Sequence, residues 1–259
     1  MANEKQEQGI PTILRGLAVL EQVIEARRPV STTELITKVG LLKPTLNRIL
    51  IQLEEEGFLQ RDPIKKHFLP GPRARKLSFG IMTNEDLSAP RHAILQSLSD
   101  VVGETCNCTM LDGNHTVYFD RVEANWPYRI QLPIGSHLPL HCTASGKLFL
   151  AFMQVRQRRR LITAAPLKSF TKGTITDVKL LTDELKRIKS DGYGVDNEEF
   201  MDGMVAVSVP VFNDANEICF TVAIHAPTAR KSLDELKEYF PALRDAATAM
   251  ENSYCHNRA

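Results

Sequence analysis

The stretch Ser31 to Glu56, STTELITKVGLLKPTLNRILIQLEEE, constrains the fold of this 259-residue chain more than any other. Ser31 and Glu34 have the S-x-x-E spacing in which hydroxyl and carboxylate satisfy free amides at a helix start, so a helix is expected from Ser31. Leu35, Ile36 and Val39 share one face of it, and Gly40 supplies a left-handed stop. Pro44 suits the first position of a following helix, where its missing amide has no partner to lose and its φ is already helical. In that second helix Leu46, Ile49, Leu50 and Leu53 form a buried stripe, which leaves Thr45, Arg48 and Gln52 in a row on the opposite side with Asn47 beside them. Such a row fits a helix-turn-helix, whose second helix enters the DNA major groove and offers its amino-terminal side chains to base edges and phosphates. Glu54, Glu55 and Glu56 would be repelled by phosphate, so the Thr45 end is expected to enter the groove. The plain alternative is a two-helix corner of a bundle with a solvated polar face.

The next segment favours DNA. Phe58 to Arg61, then Asp62-Pro63-Ile64-Lys65-Lys66, then His67 to Leu69 reads as strand, turn, strand, with the two lysines near the tip. A basic hairpin after a recognition helix is the wing of a winged helix-turn-helix, its lysines placed to reach phosphate. Upstream, Ile10, Ile13, Leu14, Leu17, Leu20 and Ile24 recur at helical spacing and are expected to bury the back of the motif.

Charge follows the same division. Residues 1–82 carry 13 Lys and Arg against 9 Asp and Glu, a net of +4, whereas the remainder carries 19 against 22, a net of −3. The length suits two domains. An odd count of five cysteines fits reduced thiols better than a disulfide framework. No apolar run is long enough to span a bilayer and MANEKQEQG is no signal peptide, so a cytoplasmic protein is expected.

After Pro70-Gly71-Pro72, a short basic helix from Arg73 to Met82 leads out of the first domain, and polar, turn-like residues 83–88 mark the boundary. A helix is expected from Arg91 to Val102, then strands at Thr105 to Leu111, Thr116 to Glu123 and Tyr128 to Ile134. Leu138 to Phe152, LPLHCTASGKLFLAF, passes from strand to an apolar helix starting near Ala144. The small residues there leave the amides of Ala144, Ser145 and Gly146 uncovered, a ready site for a carboxylate. Arg156 to Arg160 is read as a solvated basic helix face, and Leu181 to Lys189 as another helix. An acidic patch from Asp196 to Asp202 precedes the hairpin of Met204 to Phe212 and Glu217 to Ala226, and Ser232 with Glu235 caps a last helix to about Ser253. The second domain is thus α+β, mainly antiparallel.

Arg15-Gly16-Leu17, GLLKPTLNRIL at 40–50, EEGFLQR at 55–61, GET at 103–105, LPLHCTASGK at 138–147, GYGVDNEE at 192–199 and VSVPVF at 207–212 resemble, in this order and spacing, the IclR family of bacterial transcriptional regulators. The resemblance covers nearly the whole chain. It implies two domains, residues 1–82 forming a winged helix-turn-helix with its linker helix and residues 83–259 a GAF-like effector-binding and oligomerisation domain. It also implies duplex DNA, a small organic or aromatic acid, and a homodimer or homotetramer on a pseudo-palindromic operator. Lys43, Thr45, Asn47, Arg48, Gln52, Lys65 and Lys66 become the DNA-contacting set. By alignment the effector rests against the amides of Ala144 and Ser145, with apolar walls at Ile130 and Leu138 and polar contacts at Asp196, Ala206, Ala223 and His225. The chain departs from the family at the last three: Ala206 and Ala223 replace small polar residues, and His225 is larger and titratable. A larger or more apolar acid than a two- or three-carbon oxo-acid is therefore expected. Pro44 stands where Ser is common, which alters backbone contacts but keeps the helix start.

Two other readings are discounted. Cys106, Cys108, Cys142 and His141 lack a second pair at zinc-ligand spacing, so no metal is expected. An enzyme could use Ser145 with Lys147 and His141, or Asp196 with Glu198 and Glu199, yet no catalytic or nucleotide-binding motif accompanies them, and the acidic run is read as capping, turning or facing solvent. No cofactor is expected.

Overall fold

A computed structural model describes residues 11–26, 28–62, 65–126 and 132–255. Its contacts divide the chain into two compact units, Met1–Met82 and Thr83–Ala259.

In the first unit, helices α1 (Thr12–Glu25), α2 (Thr32–Val39) and α3 (Lys43–Glu55) precede a hairpin of β1 (Leu59–Arg61) and β2 (Phe68–Pro70), and α4 (Pro72–Met82) follows. Ser31 accepts the Glu34 amide at 3.2 Å. The Glu34 carboxylate does not complete the expected box; it holds the Arg28 guanidinium at 2.5 and 3.0 Å instead. Gly40 ends α2 with φ 68°, a left-handed conformation that costs other residues a Cβ clash. Pro44 is the second residue of α3, after Lys43. Leu46, Ile49 and Leu50 pack with Val19, Val23 and Leu35 in one core, against which Leu53 is partly buried.

The hairpin pairs Leu59 with Pro70 and Arg61 with Phe68, and Val30 exchanges both backbone hydrogen bonds with Phe68. This is a winged helix-turn-helix. The face of α1 differs from expectation: Val19 and Val23 are buried, whereas Ile13, Leu14, Leu17 and Ile24 are 47–72% exposed. Both sides of that helix are apolar at helical spacing, so periodicity alone cannot choose between them.

The second unit starts with α5 (Glu85–Val102). It begins earlier than expected because Asn84 accepts the Leu87 amide at 3.2 Å and Glu85 and Asp86 favour the positive end of the helix. Strands β3 (Thr105–Asp112), β4 (His115–Val122) and β5 (His137–Pro139) follow, then α6 (Ala144–Phe152), α7 (Val155–Thr163) and α8 (Val178–Asp191). The chain continues with β6 (Gly194–Asn197), β7 (Met204–Phe212), β8 (Ile218–Pro227), α9 (Leu233–Lys237) and α10 (Phe240–Cys255). The strand expected at Tyr128 to Ile134 lies partly outside the described residues, and residues 132–134 are not strand. The last helix is two. Pro241 lacks an amide and its ring would meet the Lys237 carbonyl, so α9 and α10 separate there. The capping box of Ser232 and Glu235 is present.

The six strands form one antiparallel sheet in the order β5-β4-β3-β8-β7-β6. One face carries Cys108 against Met250 of α10, and Asp120, which accepts from Arg91 of α5 at 2.7 Å. The other carries Ser208, which meets Ser145 of α6 at 3.0 Å. Flanking helices on a curled antiparallel sheet give the α+β, GAF-like class expected. Gly194 of β6 lets the strand approach α6 closely: a Cβ there would stand 2.4 Å from the Ala144 carbonyl oxygen and 3.1 Å from Leu148.

Candidate functional site

On the first unit, α3 presents Lys43, Asn47, Arg48 and Gln52 exposed and Thr45 half-buried on the side away from the core. Ile51, left unassigned by the sequence pattern, is 50% exposed in the same row, one turn beyond Arg48. Lys65 and Lys66 are exposed at the wing tip; Asp62 shapes that turn by accepting the Lys65 amide at 2.8 Å on its side chain and the Lys66 amide at 2.9 Å on its carbonyl. Of the three glutamates closing α3, Glu54 binds Arg61 at 2.9 and 3.0 Å and Glu56 binds Arg73. Arg61 of β1 and Arg73 of α4 therefore offset much of the negative charge at that end of α3.

On the second unit, Thr143 caps α6 and accepts the Gly146 amide at 3.1 Å, so Gly146 is not the free donor expected. The amides of Ala144 and Ser145, the first two of the helix, have no such acceptor among the described residues, and both residues are buried. They stand over the polar sheet face. Cross-strand partners share a face, and the register aligns Asp196 with Ala206 and Ala206 with His225. The adjacent row aligns Ser208 with Ala223, Ala223 with Asn107, and Asn107 with Arg121. The sheet thus brings Asp196, Ala206, Ala223 and His225 together. Leu138 lies opposite Thr116 on β4, and Ile130 is outside the described residues.

Arg121 is the residue that sequence reading missed. Its side chain is 3% exposed, and its guanidinium lies 5.6 Å from the Tyr118 ring centre and 3.3 Å from His225 Nε2. Its signal was a cation inside the apolar strand VYFDRV, obscured by a bulge near Phe119 that resets which residues face which side. His225 is not the titratable group expected, because burial and the neighbouring Arg121 push its pKa down to about 3.

Of the roles expected for the acidic run, Asp196 takes the capping and turning one, but from inside the fold. Asp196 and Glu199 are 1% and 6% exposed. Asp196 accepts the amides of Glu199 at 2.8 Å and Phe200 at 3.3 Å, and Glu199 holds the fully buried Lys147 ammonium. Burial pushes the Asp196 pKa up to about 7, so near neutrality its carboxyl is part donor, part acceptor.

Ser145 is engaged with Ser208, whose hydroxyl donates to the Val222 carbonyl at 3.0 Å, while Lys147 is taken by Glu199; the two are not assembled as nucleophile and base. Cys106 and Cys108 face α10 from the opposite side of the sheet, and their thiols are pushed up by burial. Among the described residues no group of three or more His, Cys, Asp or Glu is placed to hold a metal. Nor is any described helix long and apolar enough to cross a membrane.

A winged helix-turn-helix joined to a GAF-like sheet domain with an amide-bearing helix end over a polar face defines the class of two-domain DNA-binding regulators. The model described as IclR helix-turn-helix domain matches residues 12–63, and that of the bacterial transcriptional regulator IclR C-terminal region matches residues 79–252. The chain belongs to the IclR family of bacterial transcriptional regulators. A probable transcriptional regulator, SauR of Cupriavidus necator, is 41% identical over 242 residues, covering 93% of this chain and 96% of that one. The crystal structure of Thermotoga maritima IclR superposes with a TM-score of 0.62 at 27% identity, covering 93% of this chain and 98% of that one. The inducer-binding domain of Acinetobacter PobR, a double mutant in complex with 3-hydroxybenzoic acid, gives 0.58 at 25% identity over 62% of this chain and 95% of that one.

Proposed function

We propose that this regulator binds its operator through α3 and the wing, and that a small organic acid seated between α6 and the polar sheet face changes that affinity. The observation that carries the reading is the buried start of α6, where the Ala144 and Ser145 amides lack the cap acceptor that Gly146 has and Ser145 meets Ser208 on a face lined by hydrogen-bonding groups. Two free amides at the positive end of a helix favour a carboxylate. The acid bound by the PobR domain is consistent with that chemistry. Polarity lost at Ala206 and Ala223 is offset by Asn107, Ser208 and Arg121 on the same face. Effector and operator then influence one another by a reciprocal coupling free energy. Calorimetric titration of the full chain with aliphatic and aromatic acids tests this; binding confined to glyoxylate or pyruvate contradicts the expected larger acid, and silence from every acid removes the effector altogether.

The DNA contacts are assigned to Lys43, Thr45, Asn47, Arg48 and Gln52, with Lys65 and Lys66 on phosphate and Ile51 available to a thymine methyl. Arg48→Ala should weaken operator binding by about 1–3 kcal/mol, read as a gel-shift midpoint at matched salt. An unchanged midpoint would refute the assignment. The exposed apolar residues Ile13, Leu14 and Leu17 of α1 are assigned to contact with a second copy of the chain, in keeping with a homodimer or a tetramer of such pairs.

A further inference from the structure

Asp196 lies beside the start of α6. Alternate residues of a strand share a face, so Asp196 projects to the same side of β6 as Gly194, where a Cβ would stand 2.4 Å from the Ala144 carbonyl oxygen. One pleat, about 6.6 Å, separates the two. The charge of Asp196 reaches the Cys142 thiol, two residues before α6, and the Lys147 ammonium of α6 acts on Asp196 in turn. The two carboxyl oxygens are unequal. Oδ1 accepts the amides of Glu199 and Phe200, whereas Oδ2 makes no hydrogen bond among the described residues. A buried carboxyl with one oxygen committed and the other open thus borders the seat assigned to the carboxylate of the effector. Two carboxylates in one water-poor site cannot both stay ionised; one of them takes a proton.

We propose that Asp196 receives the effector as a neutral acid, its Oδ2–H donating a third hydrogen bond to the carboxylate held by the Ala144 and Ser145 amides, so that binding takes up one proton. The inference rests on the preceding reading of those amides. Asp196 is the group that can supply this proton link near neutrality, because burial brings its pKa to about 7 in the free protein. Its neighbours do not exchange protons there. His225 on β8 is pushed down to about 3, and Tyr118 on β4 is pushed up to about 12, both chiefly by burial. Burial also pushes the Cys142 thiol up. Arg121 on β4 stays cationic throughout, and Glu199, raised by burial, is held as the ion-pair partner of Lys147. An arriving anion raises the proton affinity of Asp196 further. Below pH 7 the free protein already carries the proton and affinity is level. Above it each binding event draws a proton from solution, and affinity is lost by up to about tenfold per pH unit.

The test is calorimetric titration of the full-length protein with butyrate, valerate, benzoate and 3-hydroxybenzoate, whose carboxylates are ionised throughout pH 6–8, in pairs of buffers with different ionisation enthalpies. For the acid that binds most tightly, about 0.9 proton should be taken up per ligand at pH 8 and about 0.1 at pH 6, with affinity about tenfold weaker at pH 8. Asp196→Asn, which cannot ionise, should abolish both the uptake and the pH dependence. Thermal melting establishes that the variant is folded; should it fail to fold or to bind, the proton count of the wild type decides. Binding without proton uptake at pH 8, or an uptake that survives in the asparagine variant, overturns the proton link and leaves the effector reading standing. Silence from every acid overturns that reading and the link with it.

Discussion

Replacing Lys147 with Met should destabilise the carboxy-terminal unit by about 3–5 kcal/mol at neutral pH, the usual consequence of stranding one member of a buried ion pair. The methionine keeps most of the volume, so the loss is electrostatic. Lys147 Nζ pairs with Glu199 and lies 3.6 Å from Glu184, both carboxylates being largely shielded from water. Glu199 Oε2 already has no hydrogen-bond partner, so removing the ammonium leaves that carboxylate with little except the low-dielectric interior. For a unit of this size the melting temperature should fall by roughly 6–20 °C. The double variant Lys147→Met with Glu199→Met should recover most of the loss, because a buried pair replaced as a whole by apolar groups costs little or nothing. A fall below about 1 kcal/mol in the single variant, or no recovery in the double, would show that the pair is not the buried unit described.

Asp196→Asn should change the pH dependence of the same unit. The folded pKa of Asp196 is raised to about 7 from an ordinary 3.8, because burial disfavours the charged form. A raised pKa means that the folded state holds the proton more tightly. Its contribution is complete below the unfolded value and is lost as pH rises through about 7. Asparagine keeps an oxygen for the Glu199 and Phe200 amides but never ionises. Between pH 5 and pH 8 the variant should therefore gain about 2–3 kcal/mol relative to the wild type, measured by denaturant unfolding at both values. Parallel pH profiles would contradict the buried position of this carboxyl.

The two units were legible to different degrees in the sequence, and the reason is range. Ser31, Gly40 and Pro44 act through hydrogen bonds and φ values within a few residues, so the helix-turn-helix could be read locally. The hairpin of β7 and β8 was equally plain, two apolar runs around a polar turn. The carboxy-terminal site depends on register between distant strands. Arg121 meets His225 only because β3 lies between β4 and β8, a pairing no window of sequence contains. The burial of Glu199 was illegible for the same reason: its partner, Lys147, lies far back in the chain on α6, which by itself reads as an apolar helix. At Pro241 helical spacing on either side outweighed a breaker, and at Asn84 the polar, turn-like look of residues 83–88 hid a cap.

Gly194 ties these parts mechanically. With no side chain between it and the Ala144 carbonyl, β6 bears directly on the first turn of α6, and a close-packed contact of that kind has no slack to absorb displacement. A displacement of the helix start would press on the strand bearing Asp196, so an acid seated there, as proposed, would shift a whole wall rather than loosen a single contact.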